Sequence, residues 1–205
     1  MTARAPDPPP GTPGGTTPWK PTAAQLEAAR ELTVPDLIAP GLRVVFCGIN
    51  PGLYTAAIGH HFGRPGNRFW KVLHLAGFTE RQLSPFEERL LLGHGVGVTN
   101  LVMRTTAAAS ELSLAELRAG VARVERLVGE YRPGFVAFLG MQAYRTALGR
   151  PRAVLGLQPE RLGSAKLWLL PNPSGLQARY QLAELVELFT ELGVAAFGSG
   201  KGLTH

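Results

Sequence analysis

The chain has 205 residues, 45% of them apolar, with a formal charge of +6 and a pI near 10.0. That length suffices for one well-formed core and argues against two independent domains, and the positive charge favours polyanionic partners without singling out nucleic acid. A single cysteine, Cys47, excludes an internal disulfide framework, a cysteine-based zinc site and a four-cysteine iron–sulfur cluster. A reducing, cytoplasmic setting is therefore expected, and no leader or apolar span suggests export or membrane insertion.

Residues 1–20 are rich in proline, glycine and threonine, including Pro8-Pro9-Pro10, and read as a disordered tail with too little apolar surface to offset the entropy of ordering. One folded domain is expected over residues 21–196, followed by a loose end over 197–205. In chain order the patterns predict a helix at 23–32, a strand at 42–48, helices at 67–76 and 85–92, and a strand at 96–101. A long helix at 114–131, a strand at 134–139, a helix at 142–148, a strand at 166–170 and a helix at 180–192 complete the series. Ser84 and Ser113 stand where they would cap two of the helices, and Leu182, Leu185, Val186 and Phe189 form one core-facing stripe in the last. Arg118, Arg123, Arg126 and Arg132 alternate with Glu116, Glu125 and Glu130 in the long helix, which reads as a solvated face. Cys47 lies inside an apolar run and reads as a small core residue. Apolar runs alternating with amphipathic stretches define an α/β fold whose mostly parallel sheet is covered on both faces.

Two loops carry the chemistry. The first, Gly48-Ile49-Asn50-Pro51-Gly52-Leu53, breaks an apolar strand into a polar amide, with Pro51 holding Asn50 extended and Gly52 permitting a positive φ. The second, Leu170-Pro171-Asn172-Pro173-Ser174-Gly175-Leu176, follows the last strand and again projects Asn-Pro into a turn. Loops after parallel strands meet over one end of the sheet, where such folds place ligands. Taken singly, the first loop is also compatible with an ordinary Pro-Gly turn.

Together with Gly59-His60-His61-Phe62 and Pro65-Gly66-Asn67-Arg68-Phe69-Trp70, these loops resemble the mismatch-specific uracil-DNA and thymine-DNA glycosylase family over residues 41–192. The resemblance implies a single-domain three-layer α/β/α sandwich and hydrolysis of the N-glycosidic bond of uracil, or sometimes thymine, opposite guanine. It implies double-stranded DNA as the partner, a monomer, and neither cofactor nor metal. By the same resemblance Asn50 holds the attacking water; an amide orients rather than abstracts, so turnover would be slow. Phe62 would be the aromatic on which the extruded base stacks, with core packing as its plainer role. Ile49 and Gly52 would offer backbone contacts to the base, Thr55 would set pocket size at the pyrimidine 5-position, and Asn172 would stand at the base oxygen. His60, with His61, would donate to the leaving base or to phosphate, or else be an ordinary surface histidine. Leu176 would be the wedge entering the duplex, Gly175 and Gln177 would read the widowed guanine, Ser174 would touch phosphate, and Arg179 would support that contact.

The turn Leu92-Gly93-His94-Gly95 lacks the acidic residue some relatives carry, and nothing in the sequence assigns Glu87 or Glu88 to replace it. Nothing in the sequence around Lys71 marks the desolvated amine that Schiff-base chemistry needs, so a monofunctional enzyme is expected. A catalytically weak damaged-DNA binding module using the same pocket is the alternative. A phosphate-cradling nucleotide-binding protein lacks its glycine fingerprint here.

Overall fold

The computed structural model describes residues 15–175 and 179–198. A five-stranded sheet of β1 (Val44–Gly48), β2 (Val96–Asn100), β3 (Phe135–Leu139), β4 (Gly156–Leu162) and β5 (Ala165–Leu170) runs in the order β2-β1-β3-β5-β4. The first four neighbours are parallel, while β4 is antiparallel to β5. Every residue of β1, β2 and β3 is buried, as expected of parallel strands covered on both faces.

Strand alternation divides the core in two. Val44, Phe46, Phe135, Ala137, Trp168 and Leu170 point to the layer of α3 (Phe69–Leu75) and α6 (Leu182–Phe197). Cys47, Val136, Phe138, Leu167 and Leu169 point to α4 (Leu114–Tyr131) and α5 (Met141–Leu148). The architecture is thus the expected α/β layering, and the buried Cys47 thiol, pushed up by burial, is a core group.

The predicted elements are recovered with small shifts at their ends, and α4 occupies its expected residues, capped by the Ser113 hydroxyl and Glu116. The first predicted helix divides into α1 (Ala23–Ala28) and a 3-10 turn, and the segment after Ser84 is a ten-residue 3-10 run, Pro85–His94. Besides a three-residue 3-10 turn, Ala109–Glu111, two elements escape the sequence patterns. One is α2 (Leu53–Ile58), a six-residue helix bracketed by Gly52 and Gly59; the other is β4, whose Gly156 and Pro159 interrupt its alternation. A bridge from Leu37 to Val98 lays residues near 37 along the outer edge of β2.

Arg123 departs from the solvated reading of α4. Its guanidinium pairs with both oxygens of Asp36, at 2.9 and 3.1 Å, and donates to Thr99 Oγ1 and the Asn100 carbonyl at the end of β2. The partners come from 87 and 24 residues away, too distant for helix periodicity to reveal. Close approach also fixes Gly120, where a Cβ would lie 2.3 Å from the Leu101 carbonyl oxygen. Alanine favours helix by about 1 kcal/mol over glycine, but overpacking against backbone is the larger effect. Gly120→Ala should therefore destabilise the fold by about 1–3 kcal/mol in chemical denaturation, and a stabilised variant would show that α4 moves away freely.

Candidate active site

The parallel register brings the carboxyl ends of β1, β2, β3 and β5 to one edge of the sheet, with Gly48 opposite Asn100 and Leu139 opposite Leu170. Beyond β1 the ladder continues into the loop, since the amides of Leu101 and Val102 donate to the carbonyls of Gly48 and Ile49. The chain after β2 is thereby held against Asn50. Asn50 Nδ2 donates to Thr106 Oγ1 at 2.7 Å, to the Arg104 carbonyl at 3.0 Å and to the Pro51 carbonyl at 3.2 Å. Two of these partners can only accept, and the Thr106 hydroxyl spends its proton on the Ala108 carbonyl, so the orientation of the amide is fixed. Asn50 Oδ1 is left as the acceptor of the half-buried side chain.

Gly52 caps α2 at φ −83°, an ordinary extended conformation, so the positive φ anticipated there is not used. Positive φ occurs instead at Gly59 and, for a non-glycine residue, at Phe62 with φ 53°. The Phe62 ring stacks on Phe69 with centroids 3.9 Å apart, and Phe69 in turn meets Phe46 of β1 edge-on. Half-buried Phe62 is both a core contact and part of the site edge. A Cβ on Gly48 would lie 3.6 Å from Phe62 Cε1, which places the ring beside the end of β1. Buried Thr55 accepts from the Gly63 amide at 3.2 Å and so supports the same turn.

His60 is turned inward. Its Nδ1 lies 2.9 Å from Glu88 Oε1 and its Nε2 lies 2.8 Å from the Gly15 carbonyl, so the structure offers neither nitrogen to a base or a phosphate. Both partners accept, which requires both ring nitrogens to donate and makes the ring an imidazolium. Burial opposes that charge, but the hydrogen bond and charge of Glu88 outweigh it and hold the His60 pKa above its ordinary value. His61 behaves oppositely: burial, its largest influence, holds its pKa below the ordinary value. Its Nε2 meets the Pro35 carbonyl at 3.0 Å, and Asn100 Nδ2 faces its Nδ1 at 3.5 Å.

In the second loop, Asn172 Oδ1 accepts from the Ser174 amide at 3.0 Å, closing a local turn. Gly140, at φ 129°, leaves room for Ile49 and Asn172, whose side chains would lie 3.2 and 3.9 Å from a Cβ there. Arg68 ties this loop to the Phe62 turn: its amide and Nε reach the Pro173 carbonyl, and its guanidinium donates to the Ser174 and Tyr180 carbonyls. Gly175 packs so closely on Gly66 that a Cβ would lie 2.4 Å from the Gly66 carbonyl oxygen. Arg179 is exposed, with its guanidinium over the Tyr180 ring. Leu176 and Gln177 lie outside the described residues. Lys71 is exposed on α3.

The structure therefore gathers Ile49, Asn50, Phe62 and Asn172 around one end of the sheet and docks Ser174 and Gly175 beside them, while His60 and Thr55 act from behind. Sequence reasoning gave no role to Asn100, Thr106, Arg68 or Glu88. An Asn closing the second apolar strand was a visible signal for Asn100; the others are defined by partners distant in sequence.

This layered α/β fold with paired Asn-Pro loops has relatives. Residues 35–193 match the Uracil DNA glycosylase superfamily, and the chain belongs to it. Membership makes it a DNA glycosylase, a hydrolase of N-glycosyl bonds acting on DNA. A solution NMR structure from Methanosarcina acetivorans, provisionally assigned as a uracil DNA glycosylase, shares the fold with a TM-score of 0.55 and 18% identity. That match covers 80% of this chain and 98% of the other. Among the described residues no helix is long and apolar enough to cross a membrane.

The two histidines predict opposite pH effects. His60 contributes stability fully below the ordinary histidine pKa near 6.5, and loses it as pH rises through its raised value. His61 contributes fully above 6.5 and loses stability as pH falls towards its lowered value. In thermal melts from pH 8 to 5, wild type should lose stability on the acid side relative to His61→Gln; parallel curves for the two proteins would remove His61 as a source of pH dependence.

Proposed function

We propose that this protein hydrolyses the N-glycosidic bond of uracil, and of thymine where the pocket admits it, opposite guanine in duplex DNA. The orientation of Asn50 is the observation that carries this reading. With its NH₂ group held by Thr106 and two carbonyls, Oδ1 is fixed as an acceptor without needing to reorganise during reaction. A water donating one proton to Oδ1 presents its lone pair to the anomeric carbon of an extruded nucleotide. The water oxygen bonds to that carbon as the C1′–N1 bond breaks, the electron pair departs with the base, and the water releases its proton to solvent.

Phe62 supplies the face for stacking, and the rigid Phe69–Phe46 column behind it keeps that face in place. Backbone groups at Ile49 and Gly52 and the Asn172 side chain meet the base edge, and Thr55 sets the space near the 5-position indirectly, through the Gly63 amide. An amide in place of a carboxylate gives a slow enzyme, so selectivity draws on the mismatch, where a poorly paired base costs less to flip. Leu176 fills the vacated stack, Gly175 and Gln177 read the unpaired guanine, Ser174 contacts phosphate, and Arg179 supports it. The exposed Lys71 gives no reason to expect lyase chemistry, and a monomer suffices for all these steps.

Asn50→Ala should lower single-turnover cleavage of a G·U duplex, read as alkali-labile sites, by about 100-fold with little change in duplex affinity. Wild-type protein that binds the duplex but leaves no alkali-labile site would replace the enzyme reading with that of a damaged-DNA binding module.

A further inference from the structure

Phe62 adopts φ 53°, a conformation that bulky residues avoid, so its neighbours must hold it there. The holding group is Glu88, a carboxylate buried beneath the turn at 8% exposure. One oxygen takes His60 Nδ1–H at 2.9 Å, and the other takes the His61 backbone N–H at 2.8 Å. Both residues preceding Phe62 are thereby fixed by a single side chain. The His60 ring is closed in by Phe86, at a centroid distance of 4.9 Å, and by the Gly15 carbonyl. His61 is anchored by the Pro35 carbonyl, and Gly63, on the far side of Phe62, by Thr55. None of these bonds is spent on a base or phosphate, yet together they define where the Phe62 ring lies.

From this arrangement we infer that Glu88 is a positioning residue: through His60 and His61 it sets the plane of Phe62 on which the extruded base stacks. The inference rests on the proposed function, because it gives Phe62 a base to receive. A buried ion pair is a poor source of net stability, since desolvation offsets its attraction, but it is well suited to enforcing one conformation among several. Its role here is geometric and is read out through Phe62.

The test is a double-mutant cycle on a G·U duplex with wild type, Glu88→Gln, Phe62→Ala and the double variant, at a temperature where all four are folded by circular dichroism. Glu88→Gln should lower single-turnover cleavage about tenfold in the wild-type background and less than twofold when Phe62 is already alanine. Its melting temperature should fall equally in both backgrounds, because that loss does not pass through the ring. Equal rate losses in both backgrounds, or none in either, would overturn the inference while leaving the function intact. Absence of cleavage by the wild type would overturn the function and the inference with it. If Glu88→Gln does not fold, His60→Gln carries the same comparison, and the same two outcomes decide it.

Discussion

The site depends on a missing side chain. Gly48 ends β1 opposite Asn100 of β2, and a Cβ at that point would lie 2.5 Å from Asn100 Oδ1. Only glycine lets the buried amide and the Phe62 ring close together over the strand end while the two strands stay in register. With the register kept, the ladder runs on into the loops, carries residues 104–106 to Asn50, and fixes which atom of that amide remains an acceptor. A backbone constraint in the sheet thus becomes a chemical constraint in the site.

Charge is also spent differently from what composition suggests. Arg68 and Arg123 direct their guanidinium groups at backbone carbonyls and, for Arg123, a carboxylate, while Arg104 pairs with Glu116. These cations organise loops rather than advertise themselves to phosphate; Arg123 and Arg104 are balanced by their carboxylates within the formal charge, and Arg68 is turned to backbone carbonyls. The adjacent histidines make the same point. In one, a carboxylate overcomes burial and raises the pKa, while in its neighbour burial lowers it, although their sequence context is nearly shared.

What could be read from the sequence follows the range of the interactions. Asn50 and Asn172 stand just past strand ends, where their short Asn-Pro motifs put them, whereas Phe62, in the turn after α2, is singled out by the family resemblance rather than by a local pattern. The long helix was legible because its apolar period and its Ser113–Glu116 cap lie within it. His60 was misplaced because its partner lies 28 residues away on a 3-10 run, and Arg123 because Asp36 lies 87 residues away. Short α2 presents less than two turns of pattern, and β4 carries glycine, proline and charges where alternation was sought.

That irregular β4 has a consequence of its own. It is the outermost strand on its side, and a sheet with an open edge is a template for another chain's strand. Pro159 has no amide to offer, Glu160 and Arg161 place charge along the edge, and the pairing with β5 shifts register between Leu157 and Arg161. The opposite edge is occupied where Leu37 bridges Val98. Both borders of the sheet are thus poor substrates for strand addition, a safeguard against aggregation built from the residues that hid β4 from pattern reading.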